Sequence, residues 1–477
     1  MTVFEASVFW AFLLMYGAVM YALSPRSRNA DSFYRGADDQ GNPVGQWSLT
    51  ASIFISWIFA KSVTNAANLG EAYGVVGGLA YASYWLSIPV AGYIIYLIRT
   101  QTGAGSLQEF LTSRFGRLAS LAFAAAILIR LYNEVWSNTA VVGGYFGLPG
   151  ETEYYAAAML FTVFTLAYSL KGGLRSSIFT DVIQAFVFVF FVGAVLFLVL
   201  PANDTGTLLS DGDFRLDAGA DLLLVALLQL FSYPFHDPVL TDRGFVNREK
   251  TMLRSFVVAG LLGFVAVFIF SLVGVHARLN GIEVMGNAPA AVGQSLGLTA
   301  LFFMSVVMMT SAGSTLDSTF TSLAKSLAVD LPRLAGRLGD RLPSMKVGAV
   351  VMVVFAFLGN LPMFAGTDIL KATTISGTMV MGLAPVFLFY RFTRWSPWSF
   401  HLSFWTGLGL GVAQALGALP ATWAIGEGKY ALLLGVNAWG ILICTAGFFL
   451  PLLVRRLAGR SLAGGEPLAA SQPETSA

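Results

Sequence analysis

The chain has very little of what builds enzyme centres or extracellular frameworks: one cysteine, three histidines and 11% charged residues in 477. A lone Cys444 in an apolar run excludes intramolecular disulfides and argues against a thiol metal centre. No nucleophile set, Cys/His ligand spacing or phosphate loop stands out, so no enzyme chemistry and no cofactor are expected. The formal net charge of +2 offers nothing to a nucleic-acid partner. The first apolar run, Val8 to Leu23, is preceded by Glu5 and no basic residue. It therefore lacks the start of a secretory leader and is expected to stay as a helix.

What remains is apolar. With 56% hydrophobic residues, the composition lies outside soluble-domain usage and predicts an all-α polytopic membrane protein in a lipid bilayer. At about 20 residues per span the pattern gives about thirteen helices. The second is expected over 46–72, the third over 75–98, the fifth and sixth over 153–170 and 177–200. The seventh falls at 219–240, the ninth at 297–324 and the eleventh at 370–390. Alternate loops hold most of the 28 Lys and Arg residues, among them Arg26, Arg99, Lys171, Arg243, Lys325, Arg391 and Arg455. The opposite loops carry Arg215, Arg278 and Lys429 beside Asp204, Asp211, Asp213 and Asp217. That asymmetry predicts an outside N-terminus and a cytoplasmic C-terminus in the cell membrane. The expected divisions are an N-terminal helix and loop (1–45), an inverted-repeat core (46–395), two further helices (396–456) and a disordered tail (457–477).

Residues 301–330 carry the sharpest polar pattern. On a helix, Thr310, Ser311, Ser314, Thr315, Asp317, Ser318, Thr321 and Ser322 fall within a sector of roughly 160°, opposite Met309, Leu316 and Phe320. Hydroxyls alone fit a polar helix contact equally well. With Asp317 added, the oxygens suit a hard cation such as Na+, since an intramembrane carboxylate is costly unless it serves a pathway. Two segments look broken: the second by Lys61, Ser62, Thr64, Asn65, Asn68 and Glu71, the seventh by Pro234, His236, Asp237 and Pro238. Breaks five helices apart fit an inverted repeat, helices two to six against seven to eleven, with freed backbone at mid-membrane. The polar residues there, together with Tyr233, are the expected solute contacts. Arg130 and Glu134, at i and i+4, are expected to neutralise each other.

Four motifs resemble the sodium:solute symporter family: Ser106 to Gly116 (SLQEFLTSRFG), Gly172 to Gln184 (GGLRSSIFTDVIQ), Asp237-Pro238 with Arg243 downstream, and Ser311 to Ser318. The resemblance implies a leucine-transporter-like 5+5 inverted-repeat core. It implies a sodium site from the hydroxyls of Ser314 and Thr315, the Ser311 carbonyl and carbonyls near Ile55 and Ile58. A second sodium would involve Asp181, Asp317 and Ser318. Asp237 departs from the family's Gln. Trp57 to Ser83 looks most like the urea-transporter branch, from which Lys61 departs. A Lys there would pair with Asp317 or Asp181, clamp a solute carboxylate, or replace a bound sodium.

The expected function is sodium-coupled symport of a small polar organic solute by a monomer. A proton-coupled or sodium-independent carrier of a carboxylate using Lys61, and a transporter-like sensor, are the competing readings.

Overall fold

The structure is a computed structural model and describes residues 3–38, 40–339, 341–365, 376–392 and 396–457. Among them there is no strand. The principal helices are α1 (Val3–Leu23), α2 (Gln46–Ser56), α3 (Ala60–Ala82), α4 (Ser87–Thr102), α5 (Arg117–Gly143), α6 (Thr152–Val199) and α7 (Ala220–Gln229). They continue with α8 (Pro238–Thr241), α9 (Glu249–Leu279), α10 (Leu298–Lys325), α11 (Met345–Leu358), α12 (Leu383–Leu388), α13 (Pro397–Ala415) and α14 (Ala431–Leu457). Eight stretches among the described residues are long and apolar enough to cross a membrane. The expected tail at 457–477 lies, after its first residue, outside the described residues, as does the start of the eleventh expected helix.

Two of these stretches are hairpins. Gly74 (φ 61°) and Gly173 (φ 57°) lie in a region that only glycine enters freely, and the chain doubles back at each. Past Gly74, a Cβ on Gly77 would lie 2.0 Å from the Leu69 carbonyl oxygen. Past Gly173, Ser176 Oγ donates to the Tyr168 carbonyl at 3.0 Å. The expected boundaries at 72–75 and 170–177 are therefore turns of one special residue. Neither turn has room for a side chain: a Cβ at either glycine would stand 2.3 Å from a backbone oxygen, that of Asp211 or of Phe33.

The first break is displaced from its expected place. Lys61, Ser62, Thr64 and Asn65 are helical, and the unwound residues are the apolar Trp57, Ile58 and Phe59, the last extended at φ −68°, ψ 142°. Polar side chains do not by themselves break a helix whose neighbours satisfy them. What permits the break is a donor–acceptor replacement: Ala60 N–H, lacking a helical partner, donates to Asn138 Oδ1 at 3.1 Å. The second break follows the prolines. α7 ends at Gln229, a tight turn spans Tyr233–His236, and Asp237 is extended and caps α8 through Val239 N–H at 3.1 Å.

α10 is the axis of the bundle. Every residue from Met304 to Ala324 is buried, on the hydroxyl side as well as the apolar side. The expected two-faced helix is therefore enclosed all round, packed on α6, α5, α2 and α11, while α9 packs on α3 and α4.

Candidate ion and solute site

Many α10 hydroxyls are consumed locally. Thr310, Ser311, Thr319 and Thr321 donate back to carbonyls of their own helix. Ser314, Thr315, Asp317 and Ser318 differ because they have partners on other elements. Thr315 Oγ1 donates to the Ser56 carbonyl at 3.2 Å, joining α10 to the unwound end of α2. Ser56 Oγ itself is buried with no hydrogen-bond partner. The Ile55 carbonyl takes the Ile58 N–H at 3.0 Å, so the backbone oxygen that Thr315 meets belongs to Ser56, between the two expected residues.

Beside it, Asp181 from α6 gathers donors: Ser314 Oγ in a short hydrogen bond, Ser52 Oγ at 2.5 Å and Arg243 Nη2 at 2.9 Å. The same Nη2 donates to Ser318 Oγ at 2.7 Å. Asp317 accepts from Ser177 Oγ at 2.8 Å, Thr180 Oγ1 at 2.9 Å and Ser318 Oγ at 3.2 Å. Among the described residues no Lys or Arg reaches ion-pair distance of Asp317, whereas Asp181 is paired with Arg243. Two buried carboxylates thus share one fixed cation. The Arg243–Asp181 pair was not foreseen, although both residues lie in the recognised motifs; only the helix packing brings them together.

The solute candidates form a second cluster. Lys61 Nζ lies 2.6 Å from Glu134 Oε1 and donates to Ser137 Oγ at 3.0 Å. Its partner is therefore Glu134, and neither Asp317 nor Asp181 as expected. The expected Arg130–Glu134 pair is present. Arg130 also reaches Asp237 Oδ2 at 3.1 Å, where Trp57 Nε1 donates at 2.9 Å. Two cations and two anions, Lys61 just past the first break, Asp237 in the second, and Arg130 and Glu134 on α5, make a closed quartet. Glu134 was missed as Lys61's partner because the pair spans α3 and α5, and periodicity within one helix carries no information about that.

Tyr233 packs edge-on to Trp57 and His236, with ring centroids 6.0 and 5.1 Å away. Ser62 and Asn65 meet at the Tyr81 hydroxyl, 3.3 and 3.2 Å from their side chains. Asn68 stands apart. It donates to the Gly286 carbonyl at 2.7 Å and accepts from Ala288 N–H at 2.8 Å, which makes it a brace for the helix Ala288–Leu296 and separates it from the quartet.

The sequence model of the sodium:solute symporter family matches residues 40–212, the stretch holding α2, Lys61, Glu134 and Asp181. Sodium/glucose cotransporter 1 of Oryctolagus cuniculus is 25% identical over 172 residues, 35% of this chain and 25% of the relative. The match thus spans about a quarter of that relative's length. The fold is similar to that of a Na+-coupled sialic acid symporter in a substrate-bound outward-open state. The TM-score is 0.70 at 17% identity, covering 94% of this chain and 98% of the other. It is also similar to MHP1, a nucleobase-cation-symport-1 family transporter in a closed conformation with bromovinylhydantoin bound. There the TM-score is 0.55 at 15% identity, with 91% and 95% covered. The shared fold is a leucine-transporter-like helical bundle, and neither the family nor the neighbours are enzymes. The chain is thus similar to the sodium:solute symporter family over residues 40–212, within a fold that it shares over nearly its whole length with a solved Na+-coupled transporter.

Proposed function

We propose that the protein is a secondary active symporter that couples inward Na+ movement to uptake of a small polar organic solute by alternating access. The observation that carries this is the meeting of α10 with the unwound end of α2: Thr315 on the Ser56 carbonyl, with a buried, unpartnered Ser56 hydroxyl beside it. Hydroxyl and carbonyl oxygens at a helix break are what a partly dehydrated Na+ needs. The Ser311 carbonyl, the Ser314 hydroxyl and the carbonyls of Ile55 and Ile58 are the other candidates for that set. Asp181, Asp317 and Ser318 are the candidates for a second cation, and the single guanidinium between two carboxylates leaves a negative balance for it to meet.

Na+ bridging α2 and α10 stabilises one arrangement of the bundle, and the solute at the Lys61 and Asp237 breaks completes it. The work is done by a monomer in the cell membrane, with the N-terminus outside and the C-terminus in the cytoplasm. The name of the sialic acid symporter describes that protein; the solute here is a separate question. Uptake into proteoliposomes with an inward Na+ gradient, compared with equal choline, is the direct test. Accumulation that ignores Na+ and follows a proton gradient overturns the sodium assignment.

A further inference from the structure

We propose that Tyr16 of α1 is a positioning residue for the ion site: its hydroxyl sets the register of the second half of α6 on α10, and with it the meeting of Asp181 with Ser314. This brings the N-terminal helix, which precedes the expected repeat core at 46–395, into the ion machinery. It rests on the sodium reading above and adds to it a residue that lies in none of the recognised motifs.

α1 turns one face inward, formed by Phe9, Leu13, Tyr16, Gly17 and Met20 at helical spacing, while Leu14, Met15 and Val19 are exposed. Tyr16 is the one polar side chain on that inward face. Its ring stacks on Phe161 of α6, with centroids 6.0 Å apart and planes 18° from parallel. A phenylalanine would make the same apolar contact, so the hydroxyl is the feature to explain, and a buried hydroxyl needs a partner. It has Gln184 Nε2, which donates to it at 2.7 Å. Gln184 is 1% exposed and lies about one turn past Asp181 on the same helix.

The same hydroxyl fills a notch in α10. A Cβ on Gly313 would stand 2.0 Å from the Tyr16 hydroxyl oxygen and 2.8 Å from Gln184 Nε2, so any side chain there would push the phenol and the amide out. Gly313 adjoins Ser314, whose hydroxyl makes the short hydrogen bond to Asp181. Gln184 Nε2 also donates to the Tyr168 hydroxyl at 3.4 Å, and Tyr168 in turn donates to the Gly313 carbonyl at 3.2 Å. One amide therefore joins α1, the two halves of α6 on either side of Gly173, and α10. Without the Tyr16 hydroxyl that amide keeps only the longer of its two bonds, since Gln184 Oε1 is already buried with no hydrogen-bond partner. The turn of α6 that carries Asp181 then loses a tie to the turn of α10 that carries Ser314, while no group of the ion site itself is deleted.

The test is Na+-dependent thermal stabilisation of the purified full-length protein in detergent, with NaCl exchanged for choline chloride at constant ionic strength. Tyr16→Phe keeps the stacked ring and deletes the hydroxyl. It is expected to raise the Na+ concentration at the midpoint of the stabilisation about tenfold, the equivalent of one hydrogen bond. A hydroxyl with a structural role only would lower the melting temperature in choline and leave that midpoint in place. Tyr21→Phe, on the exposed side of the same helix, is expected to leave it unchanged. Gly313→Ala is expected to weaken the Na+ response more than Tyr16→Phe does, because its methyl group displaces the phenol. Combined with Tyr16→Phe it is expected to return to the level of Tyr16→Phe alone, since the atom nearest the new methyl is gone. Equal losses from Gly313→Ala with and without the Tyr16 hydroxyl overturn the proposal. A wild type that Na+ stabilises, with a monodisperse Tyr16→Phe sharing its midpoint, defeats this inference and keeps the sodium reading. A wild type on which Na+ and choline act alike defeats both.

Discussion

Glu134 sits between Lys61 and Arg130, and this position makes the quartet asymmetric. Lys61→Met leaves Glu134 still held by Arg130 and Asn138, whereas Glu134→Gln leaves the Lys61 ammonium buried with only Ser137. Glu134→Gln is therefore expected to be the more destabilising, by roughly 3–5 kcal/mol, and the double variant to recover much of that loss. Thermal unfolding of the purified variants in detergent decides it, and an equal loss for the two single variants would refute the asymmetry. At the ion site, Thr315→Ala deletes the hydroxyl that faces the α2 break, and the Na+ concentration for half-maximal uptake is expected to rise about tenfold, or ~1.4 kcal/mol. Ser314→Ala is expected to act in the same direction. An unchanged Na+ activation curve for both would remove these residues from the site. The polar residue types were legible in the sequence because oxygen and charge at membrane depth have few uses. Their partners were not: Lys61 with Glu134 and Asp181 with Arg243 are contacts between helices, and any of several buried carboxylates fitted either cation equally well.

At the scale of elements, the breaks and turns follow different rules. Pro234 and Pro238 put the second break where the sequence indicates, because a missing N–H has a fixed effect on a helix. The first break has no proline. It depends on Asn138, a residue of another helix, to receive the freed Ala60 N–H, which is why polar Lys61 to Glu71 drew the expectation away from apolar Trp57 to Phe59. Asn138→Leu is expected to leave that N–H unsatisfied and to cost ~1–3 kcal/mol, read as a lower melting temperature. The glycine turns make a sharper prediction. Gly74→Ala and Gly173→Ala each force a side chain into left-handed backbone, at ~1–2 kcal/mol, and against a carbonyl oxygen 2.3 Å away. Both are expected to reduce folded, monodisperse protein on size exclusion well below the yield of Gly193→Ala, whose Cβ would meet nothing within 4 Å.

The whole molecule is a hydrophobic bundle with its charges in two kinds of place. Most basic residues lie in one set of alternate loops, the set proposed to face the cytoplasm. Lys325 there bridges Asp242 at 2.5 Å and Asp330 at 3.4 Å, tying the end of α10 to the segment after α8. The sole cysteine, Cys444, is buried, so single introduced cysteines report side without removing others. In the proposed orientation, with the N-terminus outside, Ser210→Cys is expected to react with a membrane-impermeant maleimide on intact cells. Arg337→Cys is expected to react only after permeabilisation, and the reverse pattern would invert the topology. All-helical architecture and the proline-marked second break were legible from hydropathy and punctuation, whereas the place of the first break and the closed quartet depend on contacts between helices.

The glycine hairpins also fix where the bundle can bend. A one-residue joint packed against a carbonyl oxygen leaves little room to bend, so the two arms of α3 about Gly74, and the two halves of α6 about Gly173, are expected to travel as pairs. The slack lies at Trp57–Phe59 and between Gln229 and Pro238, the same two stretches that carry the candidate ion and solute contacts. Whatever occupies those contacts also splints the hinges, so occupancy would set the bending stiffness of the bundle directly, with no relay through the rest of the structure.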